Sequence, residues 1–297
     1  MYPRAFNYHR AGSLKQASAL LAQLGEDAKV LAGGQSLIPL MKLRFASPAH
    51  LVDLNFIPGL AYIKDENGWL RLGALTRHAE IEHAPALAKF AILHDCAAGI
   101  ADVQVRNRGT IGGSLAEADP SGDWATALSV LETKVLCLRH SGDREVPLND
   151  FLKDAYTTAL VHDELVSEVR VAVPPKHSGG AHLAFKRAAP VYPTASAAVQ
   201  LTLEGDTCSD IAIALGCVGL TPVRPREAES VLRGQRISEK TIAATVEAAR
   251  AAADPQPDMR GSAEYKRELV GSLLRRAIEG AARRARGESV DLRHLYA

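Results

Sequence analysis

Val30 to Arg44 reads VLAGGQSLIPLMKLR, and further along Gln104 to Asp123 reads QVRNRGTIGGSLAEADPSGD. The first stretch sets Ala32-Gly33-Gly34-Gln35-Ser36 directly after the apolar pair Val30-Leu31 and before Leu37. The second sets Thr110-Ile111-Gly112-Gly113-Ser114 directly after the polar turn Arg106-Asn107-Arg108-Gly109. Two adjacent residues without a Cβ let the backbone come close to a ligand and aim successive N–H groups at it. A lone Gly-Gly pair is also an ordinary turn. Two such segments, each ending in a serine hydroxyl, point to one large ligand gripped at two places, and a dinucleotide with its pyrophosphate bridge is the natural candidate. Neither stretch is a G-x-G-x-x-G followed by an acid, nor a G-x-x-x-x-G-K-[ST] loop. The phosphates are therefore expected against loop N–H groups and short helix N-termini rather than in a Rossmann or P-loop site.

Working outward, 297 residues predict two domains. Hydrophobic residues at 47%, aromatics at 5% and charged residues at 23% describe a globular chain able to build full cores. The 35 basic and 34 acidic side chains leave a net charge of +1, without the basic excess that phosphate-tracking nucleic-acid binders carry. The basic cluster Arg275, Arg276, Arg283, Arg284 and Arg286 reads as a solvated helix face or a subunit contact. No stretch is long and apolar enough to span a bilayer, and Met1 to Arg10 has no signal-peptide core, so the expected location is cytoplasmic.

Ser13 is a helix cap before Leu14, Ala17, Leu20, Leu21 and Leu24, with Gly25 as the stop. Lys29 to Ala32 and Leu51 to Leu54 read as short buried strands. Leu60 to Lys64 and Trp69 to Gly73 flank Asn67-Gly68, a hairpin signal. Thr76 is expected to cap a short helix through His83, and Pro85 to begin another. Asp123 precedes an apolar helix to Leu131; Lys134 to Leu138 and Leu165 to Val173 read as strands. Pro174 to Gly180 (PPKHSGG) is the expected linker. Beyond it come three antiparallel strands (His182–Arg187, Ala195–Leu203, Ile211–Val218), then helices from Pro225, Ser238 and Ser262, an α+β pattern.

Other chemistry is poorly supported. Cys96, Cys137, Cys208 and Cys217 form no C-x-x-C pair and no zinc or iron–sulfur framework, so they read as reduced buried thiols. The ten histidines, His9 through His294, show no metal-binding spacing, and no metal is expected. Ser36 and Ser114 lie in no G-x-S-x-G elbow, so no catalytic nucleophile is assigned. Glu117, Asp119 and Asp123 read as loop and cap residues.

Both glycine stretches, at their full length, resemble the two FAD signatures of the medium, flavin-binding subunits of the molybdenum hydroxylases, the xanthine dehydrogenase and carbon monoxide dehydrogenase family. The resemblance continues through Phe185-Lys186-Arg187, Leu215 to Arg224 (LGCVGLTPVR) and the SAEYKRELV run from Ser262, and so covers nearly the whole chain. It implies a vanillyl-alcohol-oxidase-like (PCMH-type) FAD domain of two α+β lobes at 1–175. A smaller C-terminal domain of three antiparallel strands and helices follows at 181–290. It implies that Val30, Leu31, Ala32, Gly33, Gly34, Gln35, Ser36 and Leu37 line the FAD pyrophosphate, with Thr110, Ile111, Gly112, Gly113 and Ser114 as the second wall. Asp123 and Val166 become cofactor contacts, Lys186 approaches the flavin from the second domain, Ile100 packs on the ring where some relatives place an aromatic, and Tyr192 is a candidate cover for it. Molybdopterin and iron–sulfur clusters are implied only in partners: a large molybdopterin subunit and a small iron–sulfur subunit, assembled as a dimer of heterotrimers. Carbon monoxide, purines, N-heterocycles and aromatic acyl-CoA thioesters stay open as substrates, and the electron acceptor is open too. A self-contained flavin reductase or oxidase, or a non-catalytic nucleotide-binding subunit, remains as an alternative.

Overall fold

The Ser13 hydroxyl accepts from the Gln16 N–H and Gly25, at φ +65°, stops the turn, so α1 runs Leu14–Leu24 as its capping residues dictate. It packs on a small parallel sheet of order β1-β3-β2, made of β1 (Asn7–Arg10), β2 (Ala28–Leu31) and β3 (His50–Asp53). Ala17 and Leu21 of the helix meet Val52 and Leu54 in the core of this first lobe. Strand β1 reads Asn-Tyr-His-Arg and is largely exposed, so no apolar alternation announces it. Loop 32–36 joins β2 to α2 (Leu37–Leu43). The computed structural model describes residues 2–292; His294 lies outside the described residues.

The second lobe begins with the hairpin β4 (Ile63–Glu66) and β5 (Trp69–Gly73). Asn67 and Gly68 sit at φ +54° and +81°, the left-handed pair that a two-residue hairpin turn needs. Strands β6 (Thr133–Arg139) and β7 (Gly142–Pro147) follow, then the small ribbon β8 (Leu152–Asp154) and β9 (Thr157–Thr158), then β10 (Leu165–Ala172). The antiparallel order is β4-β5-β10-β6-β7, with β10 central and buried on both sides of its alternation. Short helices α3 (His78–Glu82), α4 (Ala91–Gly99), α5 (Val103–Arg106), α6 (Ile111–Glu117), α7 (Asp123–Leu128) and α8 (Leu148–Phe151) complete it. Trp124, Phe90, Phe151, Leu70 and Leu72 are fully buried in one cluster. Each contributes about 2–3 kcal/mol by leaving water.

In the third unit, β11 (Ser178–Phe185), β12 (Ala195–Glu204) and β13 (Thr207–Gly216) form an antiparallel sheet in chain order. It is covered by α9 (Arg226–Leu232), α10 (Glu239–Ala252) and α11 (Ala263–Ala285). Ser238 and Ser262 cap the latter two helices through their hydroxyls. Alternation along β12 sends Ala197, Val199 and Leu201 to this core and Ala198 to the core of the second lobe, so one strand serves two packing faces.

Four readings change. The expected linker is partly strand: Ser178 to Gly180 pair with β12, and a Cβ on Gly179 would stand 2.0 Å from the Ala281 carbonyl oxygen of α11. These glycines answer to close packing, not to flexibility. Thr76 caps no helix; its buried hydroxyl exchanges hydrogen bonds with the Tyr62 backbone, and α3 starts behind Arg77. Pro85 opens a 3₁₀ turn (Pro85–Lys89), and α4 begins separately at Ala91. Arg284 leaves the expected solvated face: it is largely covered, makes a two-pronged pair with the buried Asp95 and donates to the Gly180 carbonyl at 2.8 Å, tying α11 to α4 and β11. Among the described residues no helix is long and apolar enough to cross a membrane.

Candidate cofactor cleft

A cavity of about 250 Å³ opens where the three units meet. Its wall brings together Val30, Ala32, Gly33, Gly34, Gln35, Ser36 and Leu37 from the first lobe. The second lobe adds Ile100, Thr110, Gly113, Ser114 and Asp123, and the third adds Lys186 and Tyr192. Four expected residues stand elsewhere. The Leu31 side chain turns toward Gly34 from behind the loop. Ile111 is fully buried in the second core, and Gly112 packs on Ala74, where a Cβ would meet the Ala74 carbonyl oxygen at 2.7 Å. Val166 pairs with Cys137 inside the sheet and faces the core.

The two glycine loops touch. A Cβ on Gly33 would lie 2.3 Å from the Arg108 carbonyl oxygen and 2.8 Å from Gly109 Cα, so Gly33 is required by the other loop's backbone. Asn55 and Arg77 bind the pair together. Asn55 Nδ2 donates to the Ala32 carbonyl at 2.7 Å; Arg77 donates to Asn55 Oδ1 at 2.7 Å and to the Arg108 carbonyl at 2.6 Å. Gly34 sits at φ +74°, a backbone state that favours glycine.

Their hydrogen bonding differs. The N–H groups of Gly33, Gly34, Gln35 and Ser36 find no acceptor among the described residues. In the second loop the N–H groups from Ile111 to Ser114 are all engaged. Ile111 donates to the Thr76 carbonyl, Gly112 to Ala74, Gly113 to the Thr110 hydroxyl at 3.1 Å and Ser114 to the Thr110 carbonyl. The first loop is thus a row of free donors facing the cavity, and the second is a capped helix start behind it.

Lys186 is buried; its Nζ donates to the Gly99 carbonyl and stands 3.9 Å from Asp123 Oδ2. It follows an edge strand yet points inward, placing a fixed positive charge on the wall. Burial raises the Asp123 carboxyl to about 6, with Lys186 opposing. The half-exposed Tyr192 stands on the wall: burial of its hydroxyl pushes the phenol up to about 12, the Asp119 carboxylate adds to this, and a hydrogen bond with Ser36 opposes it. Arg260 stacks on the Tyr192 ring at 5.8 Å and donates to the Ser121 hydroxyl at 2.7 Å.

Sequence reading missed several wall residues. His78 accepts from the Trp124 indole N–H at 3.0 Å and packs against Gly109; burial, with Arg77 and then Arg106 adding, lowers it to about 3, so it stays neutral. Glu117 and Asp119 line the cavity as well as ending α6, and burial followed by Asp119 raises the Glu117 carboxyl. Ala101, Val105, Gly109, Gly122, Pro190 and Val191 complete the wall. Val105, Gly109 and Gly122 lie inside the second quoted stretch, Ala101 just before it, and Pro190 and Val191 beside Tyr192. The four cysteines are free thiols, three of them buried. Among the described residues no three His, Cys, Asp or Glu side chains gather as a metal site.

Residues 4–174 match the FAD binding domain in molybdopterin dehydrogenase, and residues 180–281 match the CO dehydrogenase flavoprotein C-terminal domain. The chain belongs to the FAD-binding subunits of the molybdopterin dehydrogenases. It is 42% identical to the carbon monoxide dehydrogenase medium chain of Afipia carboxidovorans, over 96% of this chain and 100% of that one. It is 38% identical to the 6-hydroxypseudooxynicotine dehydrogenase complex subunit alpha of Paenarthrobacter nicotinovorans, over 99% and 100%. The solved carbon monoxide dehydrogenase from Hydrogenophaga pseudoflava contains a chain that superposes with a TM-score of 0.92 at 40% identity, covering 95% of this chain and 98% of that one. Two such relatives are named for different molecules, and each is similar to this chain over its full length.

Proposed function

We propose that this chain is the FAD-bearing medium subunit of a cytoplasmic, multi-subunit molybdenum hydroxylase. A large molybdopterin subunit oxidises the substrate, a small iron–sulfur subunit relays electrons, and this chain passes them to an external acceptor, in a dimer of heterotrimers. The FAD-binding unit is 1–175 and the flavoprotein C-terminal unit 181–290. The observation that carries the reading is the run of four unengaged N–H groups at Gly33 to Ser36, facing a cavity built from all three units.

The donor set fits FAD. Its two phosphates need N–H donors and find them at 33–36, where the α2 N-terminus adds its dipole. Ser114, Glu117 and Asp119 offer acceptors suited to ribose and ribityl hydroxyls. Ile100 offers an apolar surface, and Lys186 a cation, to the ring. When bound, FAD supplies the redox chemistry. The protein's part is to hold it, to keep water out with Tyr192 and Val191, and to bias its charge through Lys186. The purified full chain is expected to bind one FAD whose visible absorption bleaches on reduction, and to co-purify with a molybdopterin subunit and an iron–sulfur subunit when the three are co-expressed. A chain that binds no FAD would overturn the reading.

A further inference from the structure

A second cavity, of about 330 Å³, lies on the other side of Lys186. Exposed Gly99, Val103 and Ala189 form part of its wall, so it meets solvent. His182 lines this cavity, Asp123 lines the cofactor cleft, and Lys186 lines both. Between the two spaces, Asp123 Oδ1 and His182 Nε2 are buried, have no hydrogen-bond partner among the described residues, and stand 3.9 Å apart. Asp123 Oδ2 is also 3.9 Å from Lys186 Nζ. A small side-chain shift brings either gap to hydrogen-bond distance. Two unsatisfied buried polar groups cost stability, so their placement calls for a use.

Iron–sulfur clusters deliver electrons without protons. Two-electron reduction of the flavin to its anionic reduced form takes up one proton: FAD, two electrons and H⁺ give FADH⁻. The second cavity meets solvent and reaches Lys186 and His182, so it offers this proton a route to the wall of the cleft. We propose that His182 and Asp123, with Lys186 beside them, carry this proton from the second cavity to the FAD cleft. This rests on the FAD reading above.

The electrostatics support the direction. The groups facing Asp123 are Lys186 and His182 from the β11 segment, Cys96 of α4 and Cys217 beyond β13. Both thiols are pushed up by burial and stay neutral. Burial lowers His182 to about 3, with Lys186 adding, while Asp123 rises to about 6. The resident proton therefore prefers Asp123, the group nearer the cofactor. Negative charge arriving in the cleft raises the Asp123 affinity for it further.

The test uses the full chain with FAD bound and reduced methyl viologen, a donor that carries no proton, followed by stopped flow at the flavin band. His182→Gln keeps the polarity and cannot relay a proton. It is expected to hold FAD with an unchanged midpoint potential, because a path sets rate and not equilibrium. Reduction is expected to slow at least about tenfold at pH 8 and to recover in imidazole buffer. An unchanged rate, or a slowing that imidazole does not rescue, overturns the proposal. Asp123→Asn, the second variant, is expected to lose the solvent isotope effect on reduction that the unaltered chain shows; a retained effect counts against the path. A chain that binds no FAD at all refutes the FAD reading instead, and is seen before any rate is measured.

Discussion

The two glycine loops look alike as sequence, AGGQS and IGGS, and do different work. Loop 33–36 leaves four N–H groups free and faces the cleft. Loop 110–114 engages the N–H groups of Ile111 to Ser114 within the protein, caps α6 with Thr110, and supports the first loop. Even the reasons for the glycines differ. Gly33 is demanded by the Arg108–Gly109 backbone, Gly34 by its positive φ, Gly112 by Ala74. A ligand cradle here consists of one presenting loop and one buttress, not of two equivalent grips.

Gly33→Val should produce the largest effect. Its side chain has no room against Arg108, so the loops must part and FAD affinity should fall by roughly 100-fold or more, about 3 kcal/mol, in a binding titration. Gly112→Val should instead lower the melting temperature of the FAD-free chain, since its clash is with the core strand side of Ala74. If Gly112→Val lost only FAD and no stability, the buttress assignment would fail.

Asp123, which closes the second stretch, separates the two roles by pH. Its folded pKa, about 6, lies above the ordinary 3.8, so the folded state holds a proton that the unfolded state releases between those values. Stability from this group is present at low pH and lost as pH rises to 6. Relative to the unaltered chain, Asp123→Asn should therefore gain about 2 kcal/mol between pH 4 and pH 7 in denaturant titrations of the FAD-free protein. His182 works the other way: its pKa is lowered to about 3, and its stability contribution is lost as pH falls from 6.5 toward 3. A flat difference across this range would show that Asp123 is not buried as described.

Lys186→Ala should lower the flavin midpoint potential by roughly 30–60 mV, the loss of about 1.4–3 kcal/mol of preference for the reduced, anionic ring. An unchanged potential in a redox titration would remove Lys186 from the ring environment. The smallest effects should again split by loop. Thr110→Ala should cost about 1 kcal/mol of stability as a lost cap, and Ser36→Ala should weaken FAD binding about fivefold with little change in stability.

Much of this was legible in the residues. Capped helices such as α1, α10 and α11, the Asn67-Gly68 hairpin and the three C-terminal strands follow from capping, turn chemistry and alternation. What escaped was set by tertiary contact. Strand β1 has no apolar pattern because it is an exposed edge of a parallel sheet. The Gly179-Gly180 pair reads as a linker, since the helix that demands it arrives about a hundred residues later in the chain. In the cleft, His78 and Glu117 carry no local mark of their role; only folding brings them beside the glycine loops. The engagement of the Ile111 and Gly112 N–H groups depends on Thr76 and Ala74, which no reading of IGGS reveals.

Amide hydrogen exchange, resolved by residue and measured with and without FAD, tests the central distinction most directly. Gly33 to Ser36 should exchange quickly in the free chain and become protected when FAD binds. Ile111 to Ser114 should be protected in both states. Equal gains of protection in the two loops, or none at Gly33 to Ser36, would contradict the division into a presenting loop and a buttress.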